Sequence, residues 1–242
     1  MKIIKKLKNL ILDNIFPIGC LNCGREGEWL CYSCLNAIPA NKNLKCPLCQ
    51  ENTQGAICQN CSQESFLDGL LVATSYNQKV VQTAIQTLKY GFVRDLADCL
   101  AGFVNKFVVL FDRQFQLDIL NVHNLETLLT AVPLHKKRLL ERGFNQAELL
   151  GLNISRQFEI PYQAGLISRK RYTAPQAQLT KTERSANISG AFVFNNNFKV
   201  SGKNVIIIDD VATTLSTLNE CAKVLKQAGC QQVWGLVIAR GG

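Results

Sequence analysis

No apolar run in this chain of 242 residues approaches the roughly 18 residues needed to cross a bilayer, so no membrane span is expected. The longest, around Leu128 to Leu134, is far too short. The G-x-x-x-x-G-K-[ST] of a P-loop is missing, and so is a dinucleotide-binding glycine fingerprint, which sets both of those phosphate cradles aside. A secretion signal is also missing. The opening "MKIIKKLKNLILDNIFPIGC" has a basic start and apolar residues before a Cys, but Asp13, Asn14 and Pro17 interrupt it, and a cytoplasmic protein is expected. Disorder and collagen-like repeats are excluded by a hydrophobic fraction of 47% against 19% charged, an ordinary globular balance.

Residues 1–16 read instead as an amphipathic helix. Ile3, Ile4, Leu7, Leu10, Ile11 and Ile15 share one side and Lys2, Lys5, Lys6 and Lys8 lie mostly on the other. Such a helix either docks on its own domain or meets a membrane surface or partner. The formal charge is +9, with basic residues gathered at Lys2 to Lys8, Lys136 to Arg142 and Arg169 to Arg184. These patches suit phosphate-bearing partners. Two Cys₄ metal sites, with their thiols deprotonated, would lower the charge to about +5, a mild bias toward anions.

Cysteine is abundant. Of 11 Cys, eight form four C-x-x-C pairs: Cys20/Cys23, Cys31/Cys34, Cys46/Cys49 and Cys58/Cys61. The second two pairs repeat the first two, an internal repeat of a small unit. A C-x-x-C turn aims two sulfurs at one point, and two such turns complete a tetrahedral zinc site. Residues 17–64 are therefore expected to form a double zinc ribbon with two structural zinc ions. The short gaps favour sequential pairing over a crossed one, and the alternative of a disulfide framework requires an oxidising compartment. Cys99, Cys221 and Cys230 stand outside the pattern and read as core residues.

Beyond residue 65 the texture becomes alternating strands and helices with continuous apolar strands. This predicts an α/β domain over 65–242 built on a parallel sheet covered on both faces. Helices are expected over "VVQTAIQTLKYG", "VRDLADCLAGFVNKFVVLF", "FNQAELLGLNISRQF" with Asn145 as N-cap, and "STLNECAKVLKQAG". Residues 169–190 are polar and aperiodic, as functional or mobile loops are. His135 fits a helix start or packing role better than a catalytic one, and His123 fits a surface position.

The segment with most chemistry is "VIIIDDVATTLSTL", residues 205–218. A buried strand ends in Asp209 and Asp210, and ligands in parallel sheets bind at that edge. Adjacent strand residues point oppositely, so the two acids need a bend in the chain to share a task. Thr213, Thr214, Ser216 and Thr217 precede or open a helix whose free N–H groups form a phosphate cradle. The acids suit sugar hydroxyls or the water shell of magnesium. Phosphate and vicinal hydroxyls together describe a ribose 5-phosphate. Two rivals are a receiver-domain acid pair, which normally opens its domain whereas only 32 residues follow here, and plain strand and helix capping.

This segment resembles the phosphoribosyl pyrophosphate signature of type I phosphoribosyltransferases. "VPLHKKRLLERGFNQAELL" and "TAPQAQLTKTERSANISGAF" resemble the ComF family of bacterial competence proteins, as does the order of cysteine ribbon then transferase-like domain; Arg142 to Gln146 is the most specific short piece. The resemblance covers nearly the whole chain from about Ile15. It implies a type I phosphoribosyltransferase fold and a role in DNA uptake during natural transformation. It places the ribose or magnesium at Asp209 and Asp210, the 5-phosphate at Thr213, Thr214, Ser216 and Thr217, and pyrophosphate near Lys136, Lys137, Arg138 and Arg142. Residues 169–190 take the place of the mobile catalytic flap. The chain departs from the signature at Leu215, where a small residue is usual, and at Ala212, where a larger aliphatic is usual. Three functions follow: a DNA-uptake accessory protein with competence-machinery partners that keeps a phosphoribosyl pyrophosphate site, a working phosphoribosyltransferase with an unidentified acceptor, or a non-catalytic DNA- or protein-binding scaffold. For single-stranded DNA, Tyr172 and Phe144 are the candidate stacking residues.

Overall fold

The computed structural model describes residues 18–91, 93–115, 126–173 and 181–241; the helix expected over 1–16 and His123 lie outside them. Four strands form one sheet: β1 (Gly69–Ser75), β2 (Thr127–Ala131), β5 (Asn204–Ala212) and β6 (Gln232–Arg240). Their order is β1-β6-β5-β2 and every neighbouring pair is parallel. Burial along β1 and β5 is nearly continuous rather than alternating, because helices cover both faces. Val205, Ile206, Ile207 and Ile208 are fully enclosed. Each contributes roughly 1.5–3 kcal/mol by burial, so the core fixes where β5 runs and hence where its acids emerge.

One face carries α2 (Lys79–Tyr90), α3 (Leu96–Phe115) and α5 (Gln146–Phe158); the other carries α7 (Ser216–Gln227). In α2 the buried residues Val81, Ala84, Ile85 and Leu88 follow the helical repeat, and Gly91 closes it. Asn145 caps α5 as expected, its Oδ1 accepting from Ala147 N at 3.1 Å. A close approach fixes the β1–β6 pair: a Cβ at Gly69 would lie 2.2 Å from the ring of Trp234, its register partner.

The sequence reading differs from the structure in three places. Lys136–Arg142 forms a helix, α4, that is absent from the expected helices, although His135 takes the helix-start role expected of it as N-cap, with Nδ1 accepting from Lys137 N at 3.2 Å. The aperiodic stretch 169–190 contains the end of strand β3 (Ile167–Arg169) and a helix, α6 (Lys181–Ile188), while 174–180 lie outside the described residues. Strand β3 pairs antiparallel with β4 (Phe192–Phe194) in a separate small sheet. Strand β5 runs past the acids to Ala212, although α7 starts at Ser216 as expected.

The cysteine-rich segment precedes the sheet and joins its core unevenly. Cys20, Leu30, Cys31, Cys34 and Ile38 belong to the same apolar cluster as the sheet. A short helix, α1 (Tyr32–Ala37), packs on α3, and Lys106 Nζ donates to Asn36 O and Ile38 O, both at 2.6 Å. Cys46, Cys58 and Cys61 form their own small cluster with Ile57. Hydrogen bonds tie that unit to the sheet: Ile57 N to Asp68 O and Leu70 N to Gly55 O, both 2.8 Å, and Arg240 Nη2 to Pro47 O at 2.5 Å. Cys221 and Cys230 are buried and Cys99 partly so, as core residues should be.

Candidate functional site

The two cysteine groups assemble sequentially: Cys20, Cys23, Cys31 and Cys34 in one, Cys46, Cys49, Cys58 and Cys61 in the other, all sulfurs of a group within 4.8 Å of one another. Cys23–Cys31 and Cys49–Cys58 sulfur separations are 3.7 and 3.5 Å. A zinc tetrahedron with 2.3 Å bonds has edges of about 3.8 Å, so both groups fit the ion. The local chemistry agrees. Burial acts against charge on Cys20, yet backbone N–H donors from Cys23 and Cys31 hold its thiol down at about 6. Cys34 is lowered by the Asn22 amide, but its sulfur neighbours and burial push it up to about 12. Four thiolates this close ionise together only around a cation. Four sulfurs leave no open coordination position, so the chemistry these groups support is structural.

A second site opens at the carboxyl edge of the sheet, a cleft of about 480 Å³. Strand β5 delivers Asp209 and Asp210 to it, α4 delivers Arg138, Glu141 and Arg142, β3 delivers Arg169, α7 delivers Thr217, and the end of α2 delivers Lys89 and Tyr90. Both acids reach the same cleft although they alternate along the strand. Each accepts the next backbone N–H: Asp209 Oδ1 from Asp210 N at 2.9 Å, Asp210 Oδ1 from Val211 N at 2.8 Å. Asp210 is buried, and its Oδ2 forms an ion pair with Lys89 Nζ at 2.8 Å. Burial works against the Lys89 charge, but Asp210, with Asp209 behind it, more than offsets this and holds the ammonium above its usual value. Asp209 is pushed up to about 8 by burial and by the Asp210 carboxylate, with Lys89 pulling the other way.

Cations crowd the opposite wall. Burial and the neighbouring Arg138 both lower Arg169 from its ordinary value. Arg169 Nε is buried without a hydrogen-bond partner among the described residues. Like charges gathered beside an orphaned donor are arranged for an anion. Two of the basic patches seen in the sequence meet here: Lys137 Nζ lies 5.0 Å and Arg138 Cζ 5.9 Å from the ring of Tyr172, and Arg138 Nη2 donates to Thr173 O at 3.3 Å.

The segment Arg142 to Gln146 shapes this wall residue by residue. Arg142 Nη1 donates to Gln146 Oε1 at 2.6 Å, and its guanidinium lies 5.4 Å from the ring of Tyr90. Gly143 takes φ 72°, ending α4, and its carbonyl accepts from Arg94 Nη2 at 2.9 Å. Phe144 is buried under Arg94, a packing role instead of a stacking one. Asn145 Nδ2 ties the turn to Val132 O at 3.0 Å.

The expected residues are thus brought together only in part. Asp209, Asp210, Thr217, Arg138 and Arg142 line the cleft. Thr214 and Ser216 hydroxyls contact one another at 3.0 Å on the adjoining turn. Thr213 lines a different cavity, about 560 Å³, between the cysteine-rich segment and the sheet edge. Lys136 and Lys137 are not among the cleft's lining residues. Leu215 adopts φ 65° with its side chain buried in the core, and it does not line the cleft. Sequence reading missed Lys89, Tyr90 and Arg169. Lys89 lies within the expected helix "VVQTAIQTLKYG" with nothing local to mark it, and Arg169 stood in a noted patch with nothing to single it out.

Comparison with known proteins decides the family. A relative named Competence protein F from Haemophilus influenzae is 31% identical over 240 residues, covering 93% of this chain and 99% of its own. The chain belongs to the ComF family. Other ComF-family relatives include DNA utilization protein YhgH of Escherichia coli, 30% identical over 87% of this chain and 91% of its own, and Competence protein ComFC of Bacillus subtilis, 30% identical over 85% and 81%. The family model described as the phosphoribosyl transferase domain matches residues 146–242, which carry Asp209, Asp210 and the turn after them. The fold is accordingly the parallel-sheet type I phosphoribosyltransferase fold behind a cysteine segment that fits a double zinc ribbon. Among the described residues no helix is long and apolar enough to cross a membrane.

Proposed function

We propose that this ComF-family chain binds a phosphorylated ribose of the phosphoribosyl pyrophosphate type in the sheet-edge cleft and serves DNA uptake and processing in natural transformation. The observation that carries the ligand reading is the meeting of the acid pair with Arg138, Arg142 and Arg169, one of them with a buried unpartnered donor, in a single cleft. In this reading Asp209 and Asp210 receive the ribose hydroxyls. Thr214, Ser216 and Thr217, at the N-terminus of α7, receive the 5-phosphate. The arginines match the diphosphate with charge-assisted hydrogen bonds. Magnesium, which the resemblance implies, would meet an acid pair whose Asp210 already carries the Lys89 ammonium; those residues do not fit a resident divalent ion. Two zinc ions hold the cysteine ribbons. The names of the relatives support the biological role, and in this reading the protein acts in the cytoplasm with competence-machinery partners. Tyr90 and Tyr172 are exposed beside arginines at the cleft rim and suit stacking on single-stranded DNA.

Calorimetry with phosphoribosyl pyrophosphate tests the ligand reading. Wild type is expected to bind, and Asp209→Asn with Asp210→Asn to lose binding; equal affinity in the double variant would remove the acids from the site. Single-stranded DNA is expected to bind with affinity that falls steeply as salt rises; no binding at low salt would contradict the DNA role.

A further inference from the structure

Lys89 lines the cleft beside the acid pair and outside the strand that carries it. It closes α2, a helix anchored to the sheet by Val81, Ala84, Ile85 and Leu88, so its backbone is held by the core and not by the cleft. From there the ammonium reaches Asp210 Oδ2 at 2.8 Å, with side-chain exposures of 22% and 3%, so the contact is largely shut off from water. Asp210 Oδ1 is already taken by Val211 N, and Asp209 Oδ1 by Asp210 N. Three of the pair's carboxylate oxygens are therefore engaged before any ligand arrives. Magnesium requires a near-octahedral oxygen shell at short range and retains most of its water. An ammonium 2.8 Å from Asp210 occupies the approach to that oxygen and repels a second cation, and Arg138, Arg142 and Arg169 line the same cleft.

We propose that Lys89 is the built-in counter-cation of the acid pair, and that the cleft takes its phosphorylated ribose as a metal-free anion. This rests on the phosphorylated-ribose reading of the cleft and goes beyond it. Lys89 then does two things: it holds Asp210 in place without a divalent ion, and it cancels that carboxylate's charge, so the acid pair repels the ligand's phosphates less. The arginines across the cleft supply the remaining charge match, so an ion carried on the diphosphate brings no added affinity.

The test is calorimetric titration of the full, zinc-loaded chain with phosphoribosyl pyrophosphate. One buffer is stripped of divalent cations by chelating resin, which spares the protein's zinc, and the other holds millimolar magnesium. Wild type is expected to bind in both with affinities within about threefold, whereas Lys89→Gln loses about tenfold or more in the metal-free buffer, the scale for removing one partner of a buried charge pair. Magnesium is expected to recover part of that loss, which a merely structural lysine would not give. If Lys89→Gln does not fold, Lys89→Met, which keeps the length and apolar stem of the side chain and leaves Asp210 intact, takes its place and is expected to show the same loss with the same partial recovery by magnesium. Wild-type binding about tenfold tighter with magnesium would overturn the inference while leaving the ligand site standing. Undiminished metal-free affinity in the folded variant would also overturn it. Absence of binding in either buffer would remove the ligand site and the inference together.

Discussion

Leu215 is a non-glycine residue in the left-handed region, at φ 65°, and its side chain is nonetheless buried. Holding an L-residue there costs roughly 1–2 kcal/mol, while truncating a buried leucine to alanine costs about 2–5 kcal/mol. Burial wins: the side chain turns into the core and does not line the cleft. Leu215→Ala keeps the backbone strain and loses the packing, whereas Leu215→Gly loses the packing and sheds the strain. Thermal denaturation is expected to rank wild type above the glycine variant and the glycine variant above the alanine variant, with both variants retaining ligand affinity. The reverse order would mean the strain is absent. Asp209 offers a second residue-scale prediction. Its native pKa, about 8, lies above its ordinary 3.8, so the native state holds more protons between those values and stability falls as pH rises through that window. Asp209→Asn is expected to flatten the decline, gaining on wild type in denaturant melts from pH 5 to pH 8; parallel profiles would contradict the shift. From sequence the departure at Leu215 was plain, but not the direction of its side chain, because that depends on a core assembled from distant strands.

At the scale of elements, legibility followed period and capping. The strand Val205 to Ile208, the helix capped by Asn145 and the helix closed by Gly91 were readable because apolar spacing and caps are local signals. Helix α4 was not, since its seven residues include no buried one and so carry no apolar stripe. Lys89 escaped for a related reason: its partner Asp210 lies 121 positions away, and no local pattern marks such a pair. The ribbons were legible in spacing, but their unequal attachment was not. Cys31 belongs to the main core and Cys58 to a small separate cluster. Cys31→Ser is therefore expected to lower the global melting temperature more than Cys58→Ser, while metal analysis falls from two zinc ions per chain to one in either. Equal melting losses would contradict a shared core for the first ribbon alone.

Across the whole molecule the architecture divides its labour. Two four-cysteine groups that fit zinc gather about 45 residues, too few to form an apolar core unaided, against one edge of a parallel sheet. The carboxyl edge of the sheet gathers acids, hydroxyls and cations from five elements into one cleft. Basic segments far apart in the chain, Lys136 to Arg142 and Arg169 onward, become one surface there, which is why a net charge of +9 matters less than where it collects. The central claim is that this cleft holds a phosphorylated ribose. A crystal soaked with phosphoribosyl pyrophosphate tests it most directly. Density is expected with the ribose against Asp209 and Asp210, the 5-phosphate at Thr214 to Thr217 and the diphosphate beside Arg138, Arg142 and Arg169. Density only in the cavity beside Thr213 and Arg240, or none in a crystal at saturating ligand, would contradict it.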